Sequence, residues 1–170
     1  LSEEEPSVEG AERLGSFIER IETLEEEKSE FTEQIKEVKE EAKAQGFEPK
    51  VITAVLKIRK QPPGEQEEFN TLLDTYLTAL GMETPERMGD VGELEGGESE
   101  LSGFIQRLEN LEEEKKEVAE QVKEVKAEAK GEGFDPKILN ALLKIRKQGP
   151  AEATEFEMKV ETYLAAVGTS

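Results

Sequence analysis

The chain has 170 residues, with 22 Lys+Arg against 41 Asp+Glu, a formal net charge of −19, and no His, Cys or Trp. This composition rules out a Ser-His-Asp triad, a cysteine nucleophile, disulfides, and zinc or haem sites of the usual kind. No apolar run approaches the roughly 18 residues of a membrane span, no signal-peptide h-region is visible, and the 37% charged content would suit disorder only if it were unpatterned.

Residues 1–13 read as an acidic tail, expected to be disordered. A long helix is predicted over residues 14–45. Leu14, Phe17, Ile21, Leu24, Lys28, Phe31, Ile35, Val38 and Ala42 fall at 3-4 spacing, an a/d heptad stripe. Such a helix is roughly 48 Å long. Burying one Leu or Phe is worth roughly 1.5–3 kcal/mol, so the stripe demands a partner. Lys28 occupies an a position in mid-seam. Two such lysines facing each other in a parallel pair would be unfavourable, which leans toward an antiparallel one. Flanking glutamates can absorb the charge, so the spacing leaves the orientation open.

Gly46-Phe47-Glu48-Pro49 breaks the helix. Gly suits a left-handed helix end, Glu an N-cap, and Pro the first helical position. Phe47 is placed to staple onto Ile52. A second helix follows over 49–61, stopped by Pro62-Pro63-Gly64. A third, over 65–80, carries Phe69, Leu72, Leu73, Tyr76, Leu77 and Leu80, and ends at Gly81.

The pattern is then written again. Residues 14–81 align with 101–168 at a constant offset of 87, with about 40 of 68 positions identical. LEEEK recurs at 24–28 and 111–115, LKIRKQ at 56–61 and 143–148. The second stripe is Leu101, Phe104, Leu108, Leu111, Lys115, Val118, Val122, Val125 and Ala129. Residues 82–100, rich in Gly and Glu, read as a solvated linker averaging roughly 25 Å end to end. That span lets the repeats pair within one chain or between chains. The fold class is all-α: each repeat is a long coiled-coil-forming helix followed by two shorter helices, and two repeats make a pseudo-dimer.

Composition reverses in the second helix. Residues 50–61 hold Lys50, Lys57, Arg59 and Lys60 and no acid; 137–148 hold Lys137, Lys144, Arg146 and Lys147. Lys50, Lys57 and Lys60 lie within about 80° on one face, with Val51, Ile52, Val55, Leu56 and Ile58 pointing away. Lys36, Lys39 and Lys43 share a face at the end of the first long helix, as do Lys123, Lys126 and Lys130. A lysine strip of this kind fits a polyanion, most simply nucleic-acid phosphates. It fixes affinity rather than base sequence, and the lack of interleaved aromatics argues against single-strand stacking. The plainer alternative is a solvated face whose lysines meet glutamates of the long helices. Arg59 and Arg146, amid the apolar face, suit a structural ion pair or a snorkelling role. The acidic runs at 25–27 and 112–114 suit solvated helix faces. A helical di-iron site would need His, no Gly-rich phosphate loop exists, and no enzyme, metal site or cofactor is expected.

FIERIETLEEEK, EQIKEVKEEAKAQGFEPK, KIRKQ and LLDTYLTALG, with their second copies, resemble the GapR family of alphaproteobacterial and phage nucleoid-associated proteins. The resemblance covers nearly all of both repeats and implies binding of double-stranded DNA, AT-rich or overtwisted. It also implies pairing through the long helices, a ring closed by two pairs (here a homodimer of chains), and a cytoplasmic, nucleoid location. It places phosphate contacts at Lys36, Lys43, Lys50 and Lys60, and at Lys123, Lys130, Lys137 and Lys147. Lys57 and Lys144 join them from the basic helix itself. The sequence departs from the family pattern at Thr53 and Asn140, where a lysine is usual, and in the acidic stretch after each KIRKQ. The acidic segments motivate an alternative, a protein-interaction module that mimics DNA or antagonises single-copy relatives.

Overall fold

The structure, a computed structural model, describes residues 8–85 and 97–168. All regular structure in these residues is helical: α1 (Val8–Ala44), α2 (Pro49–Lys60), α3 (Glu65–Ala79), α4 (Glu98–Gly131), α5 (Pro136–Gln148) and α6 (Pro150–Val167). The long helices begin earlier than their heptads predict. Residues 8–13, expected in the tail, are helical, and Arg13 donates to Glu9 one turn back at 3.3 Å. At the other long helix, Leu101 N–H donates to Gly97 at 2.9 Å. Most of the expected tail (1–7) and linker (86–96) lie outside the described residues.

The compact units are not the repeats. Among the described residues, one unit joins those up to Glu30 to those from Lys115 onward, and the other takes those between Phe31 and Glu114. In the first, Phe17, Ile18 and Ile21 of α1 share a core with Val122, Val125 and Ala129 of α4 and with Leu139 of α5. In the second, Phe104, Ile105 and Leu108 of α4 share a core with Val38 and Ala42 of α1 and with Ile52 and Leu56 of α2. Each core therefore takes the front of one long helix, the rear of the other, and the second helix that follows that rear.

Ion pairs fix direction within each unit. Arg20 donates to Glu128 at 3.1 Å while Arg13 lies 3.8 Å from Glu132, so α1 and α4 run antiparallel there. In the other unit Arg107 donates to Glu41 at 3.0 Å and the Phe104 ring meets Phe47 edge-on at 6.0 Å, again antiparallel. Ile18 and Ile105 lie outside the heptad stripe but are buried, because a third helix covers the seam's flank in each unit.

The breaks after the long helices have a defined geometry. Gly46 and Gly133 sit at φ 94° and 97°, where a side chain would be strained. The next N–H reaches back five residues, Phe47 to Ala42 and Phe134 to Ala129, each at 3.0 Å. This closes a Schellman turn and aims each phenylalanine at the core. Asp135 then caps α5, its Oδ1 accepting from Lys137 N–H at 2.7 Å. Glu48, one methylene longer, makes no such side-chain cap.

The repeats differ at the next corner. Gly149, at φ 88°, links α5 to α6 as a single residue, and α6 packs back on α5 with Ala153 buried. Pro62 stands at the equivalent place and cannot take a positive φ. There the chain uses 61–64 and turns at Gly64, φ 90°, instead.

Replacing Leu108, which is fully buried, by Ala should cost about 2–5 kcal/mol in chemical denaturation. Because its core holds α2 of the other repeat, amide exchange should accelerate in α2 rather than in α5.

Candidate nucleic-acid interface

The basic helices are held by few anchors. α2 buries Ile52 and Leu56, and α5 buries Leu139. The apolar face expected for α2 is narrower than its sequence suggests. Val51 and Ile58 are exposed, as are Ile138 and Ile145 of α5, because only one side of each helix meets the long-helix pair.

The lysines divide cleanly. Lys36, Lys43, Lys50, Lys57 and Lys60 belong to one unit, and Lys123, Lys130, Lys137, Lys144 and Lys147 to the other. All ten are exposed, whereas Lys39 and Lys126 are half-buried. Three of the ten have close partners. Lys60 Nζ lies 2.5 Å from Glu112 Oε2, Lys123 donates to Glu120 at 2.9 Å, and Lys144 sits 5.2 Å above the Phe156 ring. Lys36, Lys43, Lys50, Lys57, Lys130, Lys137 and Lys147 have no carboxylate of the described residues within salt-bridge distance. Glutamates of the long helices therefore neutralise only part of the strip.

The arginines behave differently. Arg146 makes a two-pronged pair with Glu22, Nε to Oε1 at 2.5 Å and Nη2 to Oε2 at 3.1 Å. Arg59 donates from Nε to Glu109 at 2.5 Å. Each ties its basic helix to the front half of a long helix, as a structural ion pair. Hydrogen bonding from Arg146 holds the Glu22 carboxyl below its ordinary range, against a smaller opposing effect of burial. Lys28, in mid-seam, lies 3.7 Å from Glu25, so a flanking glutamate meets its charge. Among the described residues no acidic cluster is arranged to hold a metal, and no helix is long and apolar enough to cross a membrane.

The sequence reading attached no function to the stripes on α3 and α6. Phe69, Leu72 and Tyr76 are exposed on α3, as is Leu80 at its C-cap, and α3 has no buried residue. Phe156, Tyr163, Leu164 and Val167 are exposed on α6, with Tyr163 at 70%. The signal was present in the 3-4 spacing of these residues, which marks an apolar face that the described residues leave largely exposed.

Comparison with known proteins gives the same family twice. The profile described as "GapR-like, DNA-binding domain" matches residues 10–81 and again 97–168. Among similar proteins are UPF0335 proteins of Sinorhizobium medicae (52% identical over 71 residues), Caulobacter vibrioides (52% over 69) and a Bradyrhizobium species (48% over 71). The matches cover 41–42% of this chain and 78–79% of each relative, the length of one repeat. No solved structure matches significantly.

Arg146→Gln should return the Glu22 carboxyl toward its ordinary pKa, upward, in an NMR titration. The sign follows from the lowered folded value. The pair's stabilisation is present above the unfolded carboxylate pKa and is lost as pH falls through the folded one. The wild type should therefore lose more stability than Arg146→Gln on acidification through that window.

Proposed function

Because the chain belongs to the family of GapR-like DNA-binding domains, twice over, we propose that it is a tandem architectural protein binding duplex DNA through phosphate contacts. The observation that carries this reading is the set of exposed lysines that meet no carboxylate among the described residues of an acidic chain. Eight of ten have no described carboxylate in reach, and one of these, Lys144, sits over the Phe156 ring. A free ammonium group beside a phosphate releases condensed counterions, and this release drives such binding without base readout. Lys36, Lys43, Lys50, Lys57 and Lys60 serve as one set, and Lys123, Lys130, Lys137, Lys144 and Lys147 as the other. One chain stands for one pair of single-copy relatives, with residues 14–81 and 101–168 as its repeats.

Two chains then enclose a duplex, joined through the apolar stripes of α3 and α6. A second copy is the natural cover, since it brings equivalent stripes of the same spacing. AT-rich or overtwisted DNA is the preferred duplex, and the bacterial nucleoid the place of action. The net charge of −19 bears weakly on this, because fields from distant acids are screened beyond about 8 Å at physiological salt.

With six to eight phosphates neutralised, log K against log salt should fall with a slope of roughly −5 to −7. Changing Lys50, Lys60, Lys137 and Lys147 together to Glu should abolish binding, and unchanged affinity would remove this assignment. A chain that ignores DNA yet dissolves a single-copy relative's DNA complex would instead support the acidic antagonist.

Mass measurement should give twice the 19.0 kDa chain mass. Placing Glu at Tyr76 and Tyr163 should return single chains with unchanged helicity.

A further inference from the structure

We propose that Glu112 is a built-in competitor for DNA, an internal anion that occupies Lys60 and lowers the chain's affinity for polyanions. This rests on the phosphate-binding reading and adds to it a residue that opposes binding.

The contrast between equivalent positions carries the inference. α4 presents Glu109 and Glu112, three residues apart, to the end of α2. Glu109 takes Arg59, and Glu112 lies 2.5 Å from Lys60. In the other unit the equivalents are Glu22, Glu25, Arg146 and Lys147. Glu22 takes Arg146 as Glu109 takes Arg59, but Glu25 lies 3.7 Å from Lys28, and Lys147 meets no described carboxylate. The arginine pair is common to both units, whereas the lysine pair occurs in one. The arginine pair is thus the structural tie, and the lysine pair is a local choice that removes one cation from the strip.

The geometry favours the internal anion. The Glu112 side chain is only 24% exposed, so its field at Lys60 is less screened than that of a carboxylate in open water. Lys60 itself is 64% exposed and within reach of an incoming phosphate. A phosphate at Lys60 must displace the carboxylate or share the ammonium group with it, next to a fixed negative charge. Arg59, held by Glu109, gives no compensating cation at that end of α2.

The test compares Glu112→Gln with Glu113→Gln, which removes the same charge from the neighbouring exposed position, each with and without Lys60→Gln. Two readouts run in parallel: the salt needed for elution from immobilised heparin, and affinity for a 30-bp duplex, on the order of the length that several phosphate contacts require. Glu112→Gln should elute later than both wild type and Glu113→Gln. Its advantage on the duplex should shrink roughly 3.5-fold between 50 and 200 mM salt, as one more neutralised phosphate requires. Lys60→Gln should erase the gain. Equal behaviour of the two glutamine variants, retention of neither on heparin, or a gain that survives Lys60→Gln overturns the proposal. A gain on heparin with no variant binding the duplex supports the role of Glu112 and removes the DNA reading instead.

Discussion

Reciprocal burial is the constraint on which the rest of the structure depends. A single long helix with a heptad stripe has nothing to bury it against, and a second helix of twelve residues is too short to cover it. The chain solves this by taking each core from both repeats. The front of one long helix meets the rear of the other, and the second helix following that rear closes the flank. Neither repeat holds a complete core of its own. Duplication within one polypeptide therefore supplies both halves of each core at a high effective concentration.

The same arrangement decides which charges are free. Each basic helix is docked by a few aliphatic side chains and one arginine–glutamate tie across the core. The planar guanidinium suits that role, with its fixed fork and weak hydration. Among the described residues, most lysines on the outward side meet no carboxylate. Charge here is a local property. The identity of the nearest long-helix residue matters more than the total.

α3 and α6 follow from the corner chemistry. A glycine at positive φ gives α6 a one-residue link and a seat on α5, whereas Pro62 denies α3 the same turn. In both cases the apolar stripe faces outward. Homologous repeats can thus present similar apolar faces, exposed among the described residues, through differently built corners.

Much was legible in the residues. The 3-4 spacing, the Gly-Phe-acid-Pro breaks and the constant offset determined six helices, two repeats and the basic second helices, because each depends on local backbone chemistry or on periodicity. The partner of each stripe segment was not legible. Ile18 and Ile105 fell outside the heptad stripe, Val51 and Ile58 fell on the apolar face of the second helix, and the seam direction was open, since spacing says which residues share a face but not what that face meets. Lys60 and Lys147 are likewise the same letter in the same motif. Only the tertiary structure set a carboxylate beside one and, among the described residues, none beside the other, because that outcome turns on distances between segments far apart in the chain.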